Sequence, residues 1–209
     1  MIKYYSLQTL LEKGVNIEPI INEILFVTVS AKTTYPEYAE WFIKKHVPGI
    51  YDGTRNTIIA VHNNKIVGVS NIKTSENKLC TLYFNPKYRR HRLGNKLVEE
   101  SLNYLQNSKP LITMPSSYLP QFKNIIKRYD WQLTDCIDDC YIKDTSELIF
   151  NGELSSINKS LTNEERIILT YKHTKDKKVL KLLQNPFFML INSSFLRKNQ
   201  KKSKKVLSN

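Results

Sequence analysis

The stretch from Leu79 to Leu105 changes its periodicity once, and that change limits what can be built around it. Leu79-Cys80-Thr81-Leu82-Tyr83-Phe84 is a short apolar run suited to a strand. From Leu93 the apolar residues fall at 93, 97, 98, 102 and 105, the spacing of a helix with one buried stripe. Between the two lie Arg89, Arg90, His91 and Arg92, with Gly94 just beyond. A helix start carries backbone N–H groups with no intrahelical partner and the positive end of the dipole. A strand, a basic turn and a helix in this order therefore make a place for a phosphate. Clustered arginines add charge-assisted hydrogen bonds, each roughly 1.5–3 kcal/mol where water is excluded. A solvated basic turn is the competing use of the same residues.

Arg89-Arg90-His91-Arg92-Leu93-Gly94 resembles motif A of the GNAT superfamily of acetyl-CoA-dependent N-acetyltransferases, which reads Gln/Arg-x-x-Gly-x-Gly/Ala. Gly94 supplies the second glycine, Arg92 replaces the first, and Asn85-Pro86-Lys87-Tyr88 matches the usual lead-in. The resemblance implies that backbone amides of this loop hold the pyrophosphate of CoA. Arg89, Arg90, His91, Arg92, Leu93, Gly94 and Asn95 are then the expected contacts. It also implies that the main chain of Leu82, Tyr83 and Phe84 runs beside the pantetheine arm, with an N–H meeting the thioester oxygen. Acetyl-CoA is the acyl donor so implied.

The order of elements fits the same family. A short strand over Ile2 to Ser6 and a helix over Leu7 to Lys13 come first, followed by Ile24 to Val29, whose β-branched and aromatic content predicts a buried strand. Pro36 to Lys45 predicts a helix, stopped by Pro48-Gly49-Ile50-Tyr51-Asp52-Gly53. Thr57 to His62 and Lys65 to Ile72 predict a hairpin turned at Asn63-Asn64, since asparagine tolerates positive φ. His62 ends its strand and reads as a solvated tip. Pro110 to Pro115 predicts a further strand, and Gln121 to Arg128 a helix. Asp130-Trp131 stands where motif B of the family has Gly-Phe. Cys140 to Lys143 and Glu147 to Phe150 are the last strand candidates. The expected class is α+β, a GNAT fold with a mixed, mostly antiparallel central sheet flanked by helices.

Charge divides the chain. Residues 155–209 hold thirteen of the 32 Lys and Arg but three of the 19 Asp and Glu. That asymmetry predicts an acetyltransferase domain over residues 1–153 and a basic, partly helical extension over 154–209 with a disordered end. The extension suits an anionic partner, nucleic acid among them, although no RNA-binding signature is present. Its apolar Phe187-Phe188-Met189-Leu190-Ile191 needs cover, from the domain or from a second copy in a homodimer. No run approaches the ~18 apolar residues of a membrane span, and the N-terminus lacks a signal-peptide core. Cys80, Cys136 and Cys140 have no metal-binding spacing and read as reduced thiols of a cytoplasmic protein, so no metal is expected.

Acetyl transfer to an amine needs the amine deprotonated, a donor for the oxyanion and an acid for the leaving thiolate. The tyrosine that the family often places before Gly-Phe falls here on Ile126, and the helix's usual asparagine falls near Leu119. Tyr129 is therefore the candidate acid, with Tyr118 flanking the same helix and packing the competing role of both. No general base is evident; Glu37, Glu40 and Glu76 are the carboxylates in range of the early elements. The expected activity is direct transfer of acetyl from acetyl-CoA to a primary amine, on an acceptor that the sequence leaves open. The alternatives are a non-catalytic CoA-binding or interaction module, and a GNAT protein acting on an RNA-linked or ribosomal substrate through its tail.

Overall fold

The computed structural model describes residues 1–91 and 93–154. The helices expected beyond Ser155 and the apolar segment from Phe187 to Ile191 lie outside these residues. The class is α+β, with seven mostly antiparallel strands and flanking helices. Two compact units divide the chain between Ile112 and Thr113.

In the first unit the strands are β1 (Lys3–Ser6), β2 (Arg55–His62), β3 (Lys65–Lys73) and β4 (Lys78–Phe84), in sequence order and antiparallel. The opening residues of β5 (Leu111–Pro115) then pair parallel to β4. The β2–β3 turn forms as expected, with Asn63 at φ 48° and Asn64 at φ 56°, the mirror-image geometry that matches strand twist. After Ser6, whose side chain caps the next turn through the Thr9 N–H, comes α1 (Leu7–Glu12).

The strand expected over Ile24 to Val29 is a helix instead. This α2 (Glu18–Thr28) has Pro19 in its first turn, with the Asn16 Oδ1 accepting from the Glu18 N–H at 3.1 Å. Ile17, Ile21, Ile24 and Thr28 are buried, and this 4-3-4 spacing begins upstream of the β-branched run and overrides its strand preference. The next helix also differs, because it continues beyond Lys45 and through Pro48-Gly49 to end at Tyr51, within the expected stop. It runs through α3 (Tyr38–Trp41), a π-helical turn over Phe42–His46, and α4 (Val47–Tyr51). Pro48 has no N–H to give the helical ladder. The wider turn, in which the Val47 N–H reaches the Phe42 carbonyl, carries the chain past it.

The two faces of this sheet are distinct. Ile17, Ile21, Ile24, Tyr38, Phe42 and Ile50 pack with Ile59, Ile66 and Val69 on one side. On the other lies α5 (Leu93–Leu105), burying Leu93, Leu97, Val98 and Leu102 as the stripe predicts. Gly68 lets α5 come close, since a Cβ there would lie 3.3 Å from the Leu97 Cδ2.

In the second unit, α6 (Leu119–Tyr129) follows a 3₁₀ turn and ends at Asp130, whose φ is 50°. Strands β6 (Leu133–Asp138) and β7 (Ser146–Phe150) form an antiparallel pair. Cys140 to Lys143, expected as a strand, lies in the connection between them. Asp139 and Asp144 bracket it at φ 57° and 61°, and the Asp144 N–H donates to the Asp139 carboxylate. Positive φ at both ends turns the chain back on itself and precludes an extended run.

Candidate functional site

Strand β4 has one laddered edge and one largely open edge. Toward β3 it pairs from Lys78 to Phe84, with an irregularity that leaves Cys80 without an opposite residue. Toward β5, among the described residues, it pairs at Lys78 with Leu111 and at Leu79 with Ile112. The Asn85 N–H donates to the Val67 carbonyl at 2.9 Å. In an antiparallel ladder the direction of the backbone groups alternates, so Tyr83 and Thr81 share the orientation of Asn85 toward β3. Leu82 and Phe84 turn their N–H and C=O groups to the open edge. Of the three residues expected beside a thioester, these two present unladdered main chain there.

The side chains divide in the same way. Phe84 faces α5, where a Cβ on Gly94 would lie 3.3 Å from its Cζ. Thr81 and Tyr83, opposite Asn71 and Val69, face the α2–α4 side. Past β4 the chain winds into a 3₁₀ turn over Pro86–His91, opened by Asn85, whose Oδ1 accepts from the Lys87 N–H at 3.1 Å. The Tyr88 hydroxyl reaches the His62 Nδ1 at 3.3 Å, their rings edge-on at 5.3 Å. His62, expected as a solvated tip, is thus half-buried and pins the start of the loop to the β2–β3 hairpin. The backbone of Arg89, Arg90 and His91 belongs to this wound turn. Leu93, Gly94 and Asn95 form the first turn of α5, whose leading N–H groups have no intrahelical acceptor.

A buried polar chain crosses the α2–α4 side, and no sequence pattern announces it. His46 is fully buried, with its Nε2 2.8 Å from the Thr57 Oγ1. The Thr57 hydroxyl donates to the Asn71 Oδ1 at 2.9 Å, and the Asn71 Nδ2 donates to the Tyr38 hydroxyl at 3.3 Å. A threonine hydroxyl has one hydrogen, so His46 must donate from Nε2, which leaves Nδ1 as a bare acceptor. That atom has no partner among the described residues. Burial, and secondly the charge of Arg55, lower the imidazole pKa to about 3, so His46 is neutral. Burial likewise pushes the Tyr38 phenol up, against opposing hydrogen bonds from Thr28, Thr81 and Asn71.

Two of the three carboxylates weighed as bases, Glu40 and Glu76, are engaged elsewhere. Glu40 pairs with Lys44 at 2.8 Å, and Glu76 pairs closely with Lys73, which holds its carboxyl below the usual range. Tyr129 belongs to the second unit, as the last residue of α6. There its ring stacks on Trp131 with centroids 6.0 Å apart, and the Arg128 guanidinium lies over it. Ile126, in the place of the family's usual tyrosine, is fully buried in that unit.

Residues 30–122 match the sequence model of the Acetyltransferase (GNAT) domain. Solved structures with a similar fold include a GNAT-family protein from Desulfovibrio desulfuricans, 10% identical, with TM-score 0.52 over 72% of this chain and 97% of the other. An N-acetyltransferase from Staphylococcus aureus Mu50 has TM-score 0.52 at 9% identity, covering 72% and 95%. A GNAT-family acetyltransferase from the same organism has TM-score 0.51 at 11% identity, covering 73% and 100%. No curated protein matches the chain. The matched segment resembles the GNAT domain, and the fold is the one these solved structures share.

Proposed function

We propose that the protein is a cytoplasmic N-acetyltransferase that moves acetyl directly from acetyl-CoA to a primary amine. The observation that carries this reading is the open edge of β4 leading straight into a wound basic loop and a helix start. Leu82 and Phe84 offer main-chain groups that no strand among the described residues pairs with, and Gly94 lies in the first turn of the helix against Phe84. An extended thioester arm suits the first, and a pyrophosphate suits the second. Arg89, Arg90, His91, Arg92, Leu93 and Asn95 complete the expected contacts of the loop. Bound there, acetyl-CoA would supply an activated acyl group. The chain would supply alignment of the reactants, worth up to about 7–11 kcal/mol when the geometry is good, and an N–H for the developing oxyanion. Tyr129 is the candidate proton donor to the thiolate.

The burial of Ile126 favours a second reading, a CoA-binding module without turnover. The two are told apart in a pair of measurements. Acetyl-CoA should raise the thermal midpoint, because a ligand that binds only the folded state stabilises it. Thiol release across a panel of amines then marks an enzyme, whereas protection without release marks a binder. No protection at all would overturn both. The proposed anionic partner and homodimer concern the extension, and steeply salt-dependent RNA binding that is lost on truncation after Gly152 would support the former.

A further inference from the structure

We propose that Arg55 anchors the acceptor by a carboxylate, making the substrate an amine several methylenes removed from that group; this rests on the transferase reading above. Arg55 opens β2, and its guanidinium lies over the Trp41 ring at 5.5 Å and 4.0 Å from the Cys80 Sγ. Both contacts leave most of its five N–H donors unused, because an indole face and a thiol are weak acceptors. Among the described residues no carboxylate forms an ion pair with it. The nearest acids have other bonds: Asp52 accepts from the N–H and hydroxyl of Thr54, and Glu76 is held by Lys73.

The position is a built one. Gly49 has no Cβ because one would come 2.7 Å from the Arg55 Cγ and Cδ, so the stem passes over that glycine. The π-helical turn carries His46, whose ring lies 5.2 Å from the Trp41 ring. His46 is neutral and buried with its Nδ1 unpartnered, so Arg55 faces no competing cation from that direction. Cys80 is the residue left without a partner in β3, and such bulges re-aim side chains beside sites. A carboxylate is the planar, two-pronged partner that a guanidinium fork fits best.

The spacing narrows the substrate. Cys80 precedes Leu82, the first open-edge residue, by two positions, about 7 Å along a strand. An α-amine lies too close to its own carboxylate to span that interval, and an ω-amine on a short aliphatic chain spans it.

The experiment compares 6-aminohexanoate, hexylamine and glycine as acceptors, by thiol release at saturating acetyl-CoA. The proteins are wild type, Arg55→Met and Arg55→Lys. The expected result is kcat/KM for 6-aminohexanoate at least about tenfold above that for hexylamine and glycine in the wild type. The ratio to hexylamine should fall to near one in Arg55→Met and partway in Arg55→Lys. A melt in the presence of CoA supplies a second readout, in which 6-aminohexanoate should raise the wild-type midpoint and leave Arg55→Met unmoved. Acetyl-CoA alone should protect all three proteins equally. Equal use of the amines by the wild type, or a preference that survives in Arg55→Met, overturns the assignment while leaving the transferase reading intact. Absent acetyl-CoA protection in the wild type removes both. Should Arg55→Met fail to fold, Arg55→Lys carries the comparison, since it keeps stem and charge and loses only the fork.

Discussion

The ring of Phe84 lies against the backbone of Gly94, so close that a Cβ on Gly94 would stand 3.3 Å from the Phe84 Cζ. The last residue of β4 and the first turn of α5 are thereby held together by a missing side chain. Gly94 is not one of the positive-φ residues, so the reason for glycine here is close approach.

This separates two substitutions at one position. Gly94→Ala gains helix propensity, about 1 kcal/mol, and crowds a ring that is only half-buried. Its stability should stay within about 1 kcal/mol of wild type, and acetyl-CoA should still protect it. Gly94→Pro removes an N–H that helical bonding does not use, so the helix should survive while protection is lost. Equal protection of Gly94→Pro and wild type in a thermal melt would remove the first turn of α5 from the site.

On the α5 face the buried Ser101 hydroxyl donates to the Leu97 carbonyl at 2.8 Å and lies 2.8 Å from the Ser70 Oγ, so Ser70 donates to Ser101. Ser101→Ala should cost about 1–2 kcal/mol, because it leaves the other hydroxyl unpaired away from water. The double variant with Ser70→Ala should recover part of that loss. A double-mutant cycle by urea unfolding measures the coupling, and strictly additive losses would show that the pair is not linked.

His46 gives the pH prediction. Its folded pKa, about 3, lies below the unfolded value of 6.5. Between those values the unfolded chain binds a proton that the folded one refuses. The contribution is whole above about pH 6.5 and declines by about 1.4 kcal/mol per pH unit as pH falls toward 3. His46→Gln lacks that dependence. Urea midpoints at pH 7.5, 6 and 5 should show the gap between wild type and variant closing, and a constant gap would mean that His46 is not held neutral by the fold.

Much of the first unit's sheet was legible because its signals are local. Two adjacent asparagines at positive φ make the hairpin, and the stripe from Leu93 to Leu102 makes α5. Reading failed where a signal straddled a boundary. Taken alone, Ile24 to Val29 is β-branched, and only the addition of Ile17 and Ile21 shows the helical face. The loop and the residues of β4 were singled out as candidates through the motif, but the division of Leu82, Tyr83 and Phe84 between two edges needed the register. The chain from His46 through Thr57 and Asn71 to Tyr38 joins positions 11, 14 and 33 apart. Its members are ordinary polar residues, and only the packing of helix on sheet brings them together. Arg55 and Trp41 escaped notice for the same reason.

Asp130 ends α6 in the left-handed region at φ 50°, and its N–H closes on the Ile126 and Lys127 carbonyls. Trp131 follows, fully buried, with its N–H on the Ile126 carbonyl at 3.0 Å. This is a C-terminal cap that normally calls for glycine, and it explains why a Gly-Phe position can read Asp-Trp without losing its geometry. The left-handed conformation costs an ordinary L-residue about 1–2 kcal/mol, less for aspartate. Against that, the exposed Asp130 Oδ1 accepts from the Gln132 Nε2 at 2.8 Å, worth about 0.5–1.5 kcal/mol at most. Asp130→Gly should therefore leave stability unchanged or raise it by up to about 1 kcal/mol. Asp130→Val, β-branched at positive φ, should lower it by about 1 kcal/mol or more. Denaturant midpoints decide the matter: a marked loss in Asp130→Gly would show that the carboxylate, rather than the backbone conformation, sets the end of the helix.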